Sequence, residues 1–330
     1  MKKTTKIILC VGIALCAAGI ILYGVGRATG GMEEVKNSKK EESGNVSNEK
    51  RAVLEKEALG DMQGIEGSIA DVDLVIKPSG DDSCYLSYDV QTRKGENPVT
   101  YSVEDGVLKL EESGGYDSSY YVQVDISFLD KMTGEQDKEE YTNLITLYLP
   151  EDKILEDCKL SMGDGDMMIR GLRCKNLDLA LRSGDLIGKE LEAETGVIAA
   201  NDGDVELRDI TCWNLNLRSE SGDVELTSAE FKDAAITLED GDLEAEELIL
   251  TGEVQIQSES GDVKVAPGRE KSGRLKIEAK TSSGDITAAS FWKGSLHDDD
   301  YDDTASYERD VEQASGILTI QSEDGDISIE

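Results

Sequence analysis

The sequence predicts an all-β fold, a single-stack β-solenoid or β-helix of ~19-residue repeats, preceded by an N-terminal transmembrane helix. Three observations predict it. A Gly-Asp pair followed by an aliphatic residue recurs at Gly184, Gly203, Gly222, Gly241, Gly261, Gly284 and Gly325. Apolar and polar residues alternate on both sides of each pair. A run of apolar or small residues from Ile7 to Val25, broken only by Tyr23 near its end, follows Lys2, Lys3 and Lys6.

The repeat comes first. An eighth copy, at Gly165, has Met167 in the aliphatic slot. From Gly165 the steps are 19, 19, 19, 19, 20, 23 and 41 residues, the last close to two repeats. A fixed period means a unit that stacks on its neighbours and does not fold alone. With the glycine as zero, positions −7, −5, −3, +2 and +4 are mostly apolar. Around Gly222 they are Leu215, Leu217, Ser219, Val224 and Leu226; around Gly261 they are Val254, Ile256, Ser258, Val263 and Val265. Period-two alternation is the pattern of a strand with one buried face. Each unit therefore reads as strand, tight turn, strand. Glycine allows positive φ at the turn, and the flanking Ser or Asp can hydrogen-bond nearby backbone. An apolar pair at +7 and +9, such as Ile210 and Cys212, marks a further short strand or a corner. Inward aliphatics then stack on their equivalents ~4.8 Å away. A propeller blade of roughly 40–50 residues would pair the units two by two, and no two-unit alternation exists.

The chain divides into three parts: residues 1–27, a cytoplasmic stub and anchor; 28–60, a polar juxtamembrane linker with a brief helix from Asn48 to Leu59; and 61–330, the solenoid. Within the solenoid, 61–150 reads as degenerate repeats. Val99, Tyr101, Val103, Gly106, Leu108 and Leu110 fit the template. Ile65 to Ile76 and Tyr85 to Val90 make a first circuit. Val122, Val124, Ile126 and Phe128 alternate as one further strand, and Ile145, Leu147 and Leu149 as another. Terminal units of a stack are atypical because they cap it. Residues 151–330 carry the regular repeats, with an insertion at 291–316.

At 1.5 Å per residue, the Ile7–Val25 run nearly crosses a hydrocarbon core of ~30 Å. The lysines before it keep the N-terminus cytoplasmic and the C-terminal domain extracytoplasmic. This gives a single-pass cell-membrane protein. A cleaved signal peptide and a lipoprotein at Cys16 are the rival readings; the length of the run and the lack of a small-x-small site argue for an uncleaved anchor.

Net charge is −36. The first 27 residues hold no acid and four of the 34 bases, so the exported part is more acidic still. Nucleic acid is excluded as a partner, because phosphate binding needs a basic patch. Anionic membrane or wall polymer is repelled unless divalent cations intervene. Of six cysteines, Cys10 and Cys16 lie in the anchor. Cys158, Cys174 and Cys212 fall in apolar columns and read as buried free thiols. Cys84 has no assigned place.

Two features could carry chemistry. The first is the aspartate column: Asp166, Asp204, Asp242 and their equivalents, with Asp164, Asp202 and Asp240 adding carboxylates where the turn is Asp-Gly-Asp. Either Ca²⁺ offsets their repulsion, since it takes six to eight oxygens, or each carboxylate accepts backbone N–H bonds at its own turn. The second is the insertion. Asp298, Asp299 and Asp300 offer a cation site, while Trp292, His297 and Tyr301 offer partner contact; the alternative is a solvated loop. With one histidine and no nucleophile-base, metalloprotease or phosphate-loop motif, no enzyme is predicted and no catalytic residue or cofactor is assigned. Ca²⁺ is the one ion that these oxygen ligands would suit.

The anchor, the tether and units such as Ser219-Glu220-Ser221-Gly222-Asp223-Val224-Glu225-Leu226 resemble the bacterial putative-adhesin family of β-strand-repeat domains of unknown function. The resemblance spans about residues 61–330. It implies a non-enzymatic binding, adhesion or scaffold module of the cell envelope, with an envelope protein or glycan as partner. Two alternatives are a Ca²⁺-dependent module and a polymer self-associating end to end. The polymer reading rests on the chain ending in a strand, Asp326 to Glu330, with no capping helix.

Overall fold

A computed structural model describes residues 51–114, 143–268, 274–299 and 304–330. The anchor, the linker up to Lys50, the strand expected at Val122 to Phe128, and Asp300 and Tyr301 lie outside the described residues. The described residues contain no helix, hence none long and apolar enough to cross a membrane. Their 22 strands join in one sheet that winds around a single core.

Successive circuits pair in parallel, one repeat apart. Leu186 pairs with Val205 and Val205 with Val224; Ile198 pairs with Leu217 and Leu217 with Ile236. Each circuit has a leading arm before its Gly-Asp turn and a trailing arm after it. The trailing arm, a corner and the next leading arm run together as strands Leu186–Asp202, Val205–Ser221 and Val224–Asp240. The corner sits at +6, where Glu190, Asp209, Ser228 and Glu247 all take φ between 54° and 57°. These left-handed residues bend the strand and start the short third side, whose inward pair lies at +7 and +9.

The inward columns follow the period-two pattern. Leu177, Leu179, Leu181, Leu186, Leu215, Leu217, Ile236, Leu243 and Val263 are buried in one continuous core. Burying each such side chain contributes roughly 1.5–3 kcal/mol before entropy is subtracted. The +9 residues Cys174 and Cys212 are buried, with Ala193 between them in register.

Both ends differ from a simple linear stack. The last repeat in sequence is not the last in space. Strand Gly316–Asp324 lies between Glu253–Ser260 and Leu275–Ser283, and Ile327–Ile329 lies between Val263–Pro267 and Ile286–Ala288. The 41-residue step therefore holds an excursion and a return, and the Gly284 circuit is the outermost. The C-terminal strand is paired on both sides, so it is not the open end expected of a self-associating polymer. Strand Thr304–Arg309 then pairs antiparallel with Leu275–Ser283 and carries Ser295–Asp299 on its far side. The described residues of the 291–316 insertion thus cap the stack.

The N-terminal end mirrors this. Strands Gly64–Ile69 and Asp73–Pro78 lie inside the outermost pair Val107–Glu112 and Leu144–Leu149. Antiparallel strands close it: Val99–Glu104 on one arm, Cys84–Gln91 and then Arg51–Gly60 on the other. Residues 51–60 are therefore a strand and not the helix expected in the linker. Their alternation is too irregular to announce a strand; pairing with Cys84–Gln91 decides it.

Candidate functional site

The turns form a continuous hydrogen-bonded ladder. The Oδ1 atom of Asp166 accepts the backbone N–H of Asp185 at 2.9 Å, and Asp185 does the same for Asp204 at 2.9 Å. The series continues from Asp204 to Asp223 at 2.8 Å, Asp223 to Asp242 at 2.9 Å and Asp242 to Asp262 at 2.7 Å. It then jumps to Asp326 at 2.8 Å and ends at Asp285 at 2.7 Å, following the spatial order of the circuits. A return bond runs the other way: Leu186 N–H donates to the Asp204 carbonyl and Val205 N–H to that of Asp223, both at 2.9 Å. The carboxylates do accept backbone N–H groups, but from the next circuit and not from their own turn.

Glycine is required at these turns. Gly203 has φ 145°, and a Cβ there would fall on the carbonyl oxygen of Gly184. The backbones of successive turns approach too closely for any side chain.

The ladder has a first member outside the repeat. Asp73 Oδ1 accepts the Asp166 N–H at 3.0 Å. Burial pushes the Asp73 carboxyl up to about 6, against the lowering effect of that bond, and the Asp166 charge adds to the rise. Burial also raises Asp166, opposed by the Asp185 N–H. Nearby, Glu112 is buried, and its Oε2 accepts the N–H groups of Ala70 at 2.8 Å and Asp71 at 2.9 Å. Burial raises its pKa too. Sequence reasoning missed both residues, since neither sits in a Gly-Asp unit.

The candidate cation ligands divide among these roles. Asp166, Asp204 and Asp242 are rungs of the ladder. Asp164 pairs with Arg182. Asp202 and Asp240 end strands, in register with Ser221 and Ser260. Among the described residues no three His, Cys, Asp or Glu side chains converge so as to hold a metal ion. Asp298 and Asp299 lie in the strand that edges the cap, in register with Ala305 and Thr304.

The cap separates the partner-contact candidates. His297 is exposed on the same edge strand. Trp292 is fully buried; its Nε1–H donates to the Glu330 carbonyl at 3.0 Å, and the Arg309 guanidinium lies 5.3 Å from its ring. It seals the end of the core and is withdrawn from contact with a partner.

The exposed tryptophan is the other one. Trp213 is 57% accessible at the corner before a leading arm, flanked one circuit away on either side by Glu194 and Lys232. Its position, between inward Cys212 and Leu215, is the signal that could have found it. The outward side chains of the leading arms beside it include Thr195, Val197, Ala199, Asn214, Asn216, Asp233 and Ala235. Of these Asp233 is charged; it lies in register with Asn214 and 3.8 Å from the Lys232 ammonium. The charges bordering this strip are paired, Asp178 with Lys159 at 3.2 Å and Arg218 with Glu239. The trailing arms instead carry Glu206, Glu225 and Glu244 outward.

The thiols of Cys84, Cys158, Cys174 and Cys212 are free and buried. Burial raises all four, Cys174 to about 12 and Cys212 to about 11. A thiol so placed is not a nucleophile at neutral pH.

A family model described as Toastrack DUF4097 matches residues 62–330. Among solved structures, a putative adhesin from Parabacteroides distasonis ATCC 8503 aligns with a TM-score of 0.50 at 11% identity, over 86% of this chain and 98% of that one. A putative adhesin from Bacteroides fragilis NCTC 9343 aligns at 0.43 and 17% identity, over 85% and 97%. A putative lipid binding protein from Parabacteroides distasonis ATCC 8503 aligns at 0.42 and 14%, over 86% and 98%. At 11% identity the likeness to the first of these is one of fold. No curated protein matches the chain.

Proposed function

This chain belongs to the Toastrack DUF4097 family, whose solved relatives include putative adhesins, and from that premise we propose that it is a non-enzymatic binding module of the bacterial cell envelope. It is held in the membrane by the Ile7–Val25 helix, with residues 28–50 as tether and the β-solenoid displayed outside the cell. It acts by surface contact.

One observation carries the non-catalytic reading. The aspartate column of the described residues is spent on architecture, Asp185, Asp204 and Asp223 each holding the backbone of the next circuit. Cys84, Cys158, Cys174 and Cys212 face the core, and the sole histidine lies on the edge strand of the cap. The unbroken apolar run after three lysines supports the anchor and its orientation.

Protease added to intact cells tests the topology. The reading expects digestion of the C-terminal domain without lysis. Full protection until the cells are broken would sink it.

A further inference from the structure

We infer that the leading-arm face beside Trp213 pairs with the same face of a second copy of this chain, about a two-fold axis that runs along the strands. The inference goes beyond the envelope reading and does not depend on where the domain is displayed.

Single exposed apolar side chains are ordinary on a protein surface. Trp213 has an exposed apolar neighbour: Val197, 47% accessible, lies on the adjacent circuit in register with Asn216. The charges around the indole are ordered by sign. Glu194 lies one circuit away on one side and Lys232 one circuit away on the other, both exposed. In the next row Thr195, Asn214 and Asp233 follow one another in register, and in the row after it Val197, Asn216 and Ala235 do.

A face with this order complements itself. A two-fold axis along the Trp213 strand, in the plane of contact, keeps each row over itself and reverses the order of the circuits. Indole then meets indole. Glu194 meets the partner's Lys232, and Lys232 the partner's Glu194. Val197 meets the partner's Ala235 in the same reciprocal way. Thr195 falls opposite the partner's Asp233, a hydroxyl against a carboxylate. On the axis Asn214 and Asn216 face their own counterparts, and an amide pairs with its like because it carries both donors and an acceptor. One circuit further out, Asp178 falls opposite the partner's Gln255. An axis along the stack through the same indole would instead set Glu194 on Glu194 and Lys232 on Lys232. The charges therefore select the first axis.

Repulsion lies at the turn end of the arm. Arg218 meets its counterpart, but each already pairs with Glu239 and lies 3.8 Å from Glu220. Glu220 also meets its counterpart, and Asp202 meets the partner's Asp240. The contact is therefore centred on the Trp213 corner, and the two faces part toward the turns. Glu192 and Glu230, in register with Thr211, lie on the third side, round the corner from this plane. The net charge of −36 opposes association at long range. At physiological ionic strength the screening length is only ~8 Å, so the charges at the contact decide. Five circuits by six residues offer about 500 Å² per copy, less than the ~800 Å² of a standard stable interface. The dimer is weak and reversible.

Sedimentation of the full-length chain in detergent micelles tests this. We expect a monomer–dimer equilibrium with a dissociation constant of roughly 10–100 μM. Glu194→Lys and Lys232→Glu should each weaken it at least about tenfold, by setting like charges face to face. The double variant should recover to within about threefold of wild type, and so should an equimolar mixture of the two single variants. Trp213→Ala should weaken dimerisation at least about tenfold, with the wild-type unfolding midpoint in dilute, monomeric solution. A chain that stays monomeric at about 300 μM would overturn the inference. So would a dimer that Trp213→Ala leaves intact, or single variants rescued neither by combination nor by mixing.

Discussion

The Oδ1 atom of Asp204 accepts the backbone N–H of Asp223, one full circuit away, at 2.8 Å. This bond, repeated along the stack, explains why Asp follows Gly in every regular unit. The side chain reaches sideways to the next turn, while the glycine lets that turn come close enough to be reached.

Removing one carboxylate should therefore loosen one junction. Asp223→Ala strips the Asp242 N–H of its acceptor and should cost about 1–2 kcal/mol. Asp223→Asn keeps an Oδ1 acceptor and should cost less than half as much. Urea unfolding of the two variants checks this; equal losses would mean that charge, and not acceptance, matters.

Gly203→Ala should do more damage than either. It forces an L side chain to φ 145° and onto the Gly184 carbonyl. The expected loss is about 2 kcal/mol or more. A midpoint within error of wild type would contradict the close approach of the turns.

The half-buried start of the ladder should make stability depend on pH. Asp73 has its carboxyl raised from 3.8 to about 6, chiefly by burial. The folded state then holds this proton more tightly than the unfolded state. The resulting stability is complete below pH 3.8 and is lost as pH rises to about 6. Asp73→Asn keeps an acceptor for the Asp166 N–H without the charge. It should stabilise the protein at pH 7 by roughly 1–3 kcal/mol, with the gain vanishing near pH 4. Melts of both proteins at the two pH values check it. A gain that does not depend on pH would contradict the desolvation of the Asp73 carboxyl.

The two tryptophans should separate cleanly. Trp292→Ala empties the end of the core and should cost about 3–5 kcal/mol. Trp213→Ala removes an exposed ring and should stay within about 0.5 kcal/mol of wild type. Similar losses would contradict the burial assigned to each.

The inward columns were legible because alternation maps directly onto one face of a strand: Leu215, Leu217, Val224 and Leu226 are all buried as read. Cys158, Cys174 and Cys212 followed from the same columns. Direction along the stack was not legible. An Asp that bonds its own turn and one that bonds the next circuit have the same period. The returning Gly325 circuit was hidden because a 41-residue step fits two stacked repeats as well as an excursion and a return. Trp292 was favoured for contact because it sits where the period breaks. A break in a stack is also where its end must be sealed, and sealing takes a large apolar ring. Asp73 and Glu112 act through contacts 93 and 42 or fewer residues away, which no local pattern records.

The account rests on a displayed surface that binds without the help of metal, and one measurement tests that directly. The full-length chain is used to retain envelope components, in the presence of millimolar Ca²⁺ and again in chelator. The account predicts retention of the same component in both, because the ladder carboxylates already serve the next circuit. Retention only with Ca²⁺, or no retention in either condition, would contradict it.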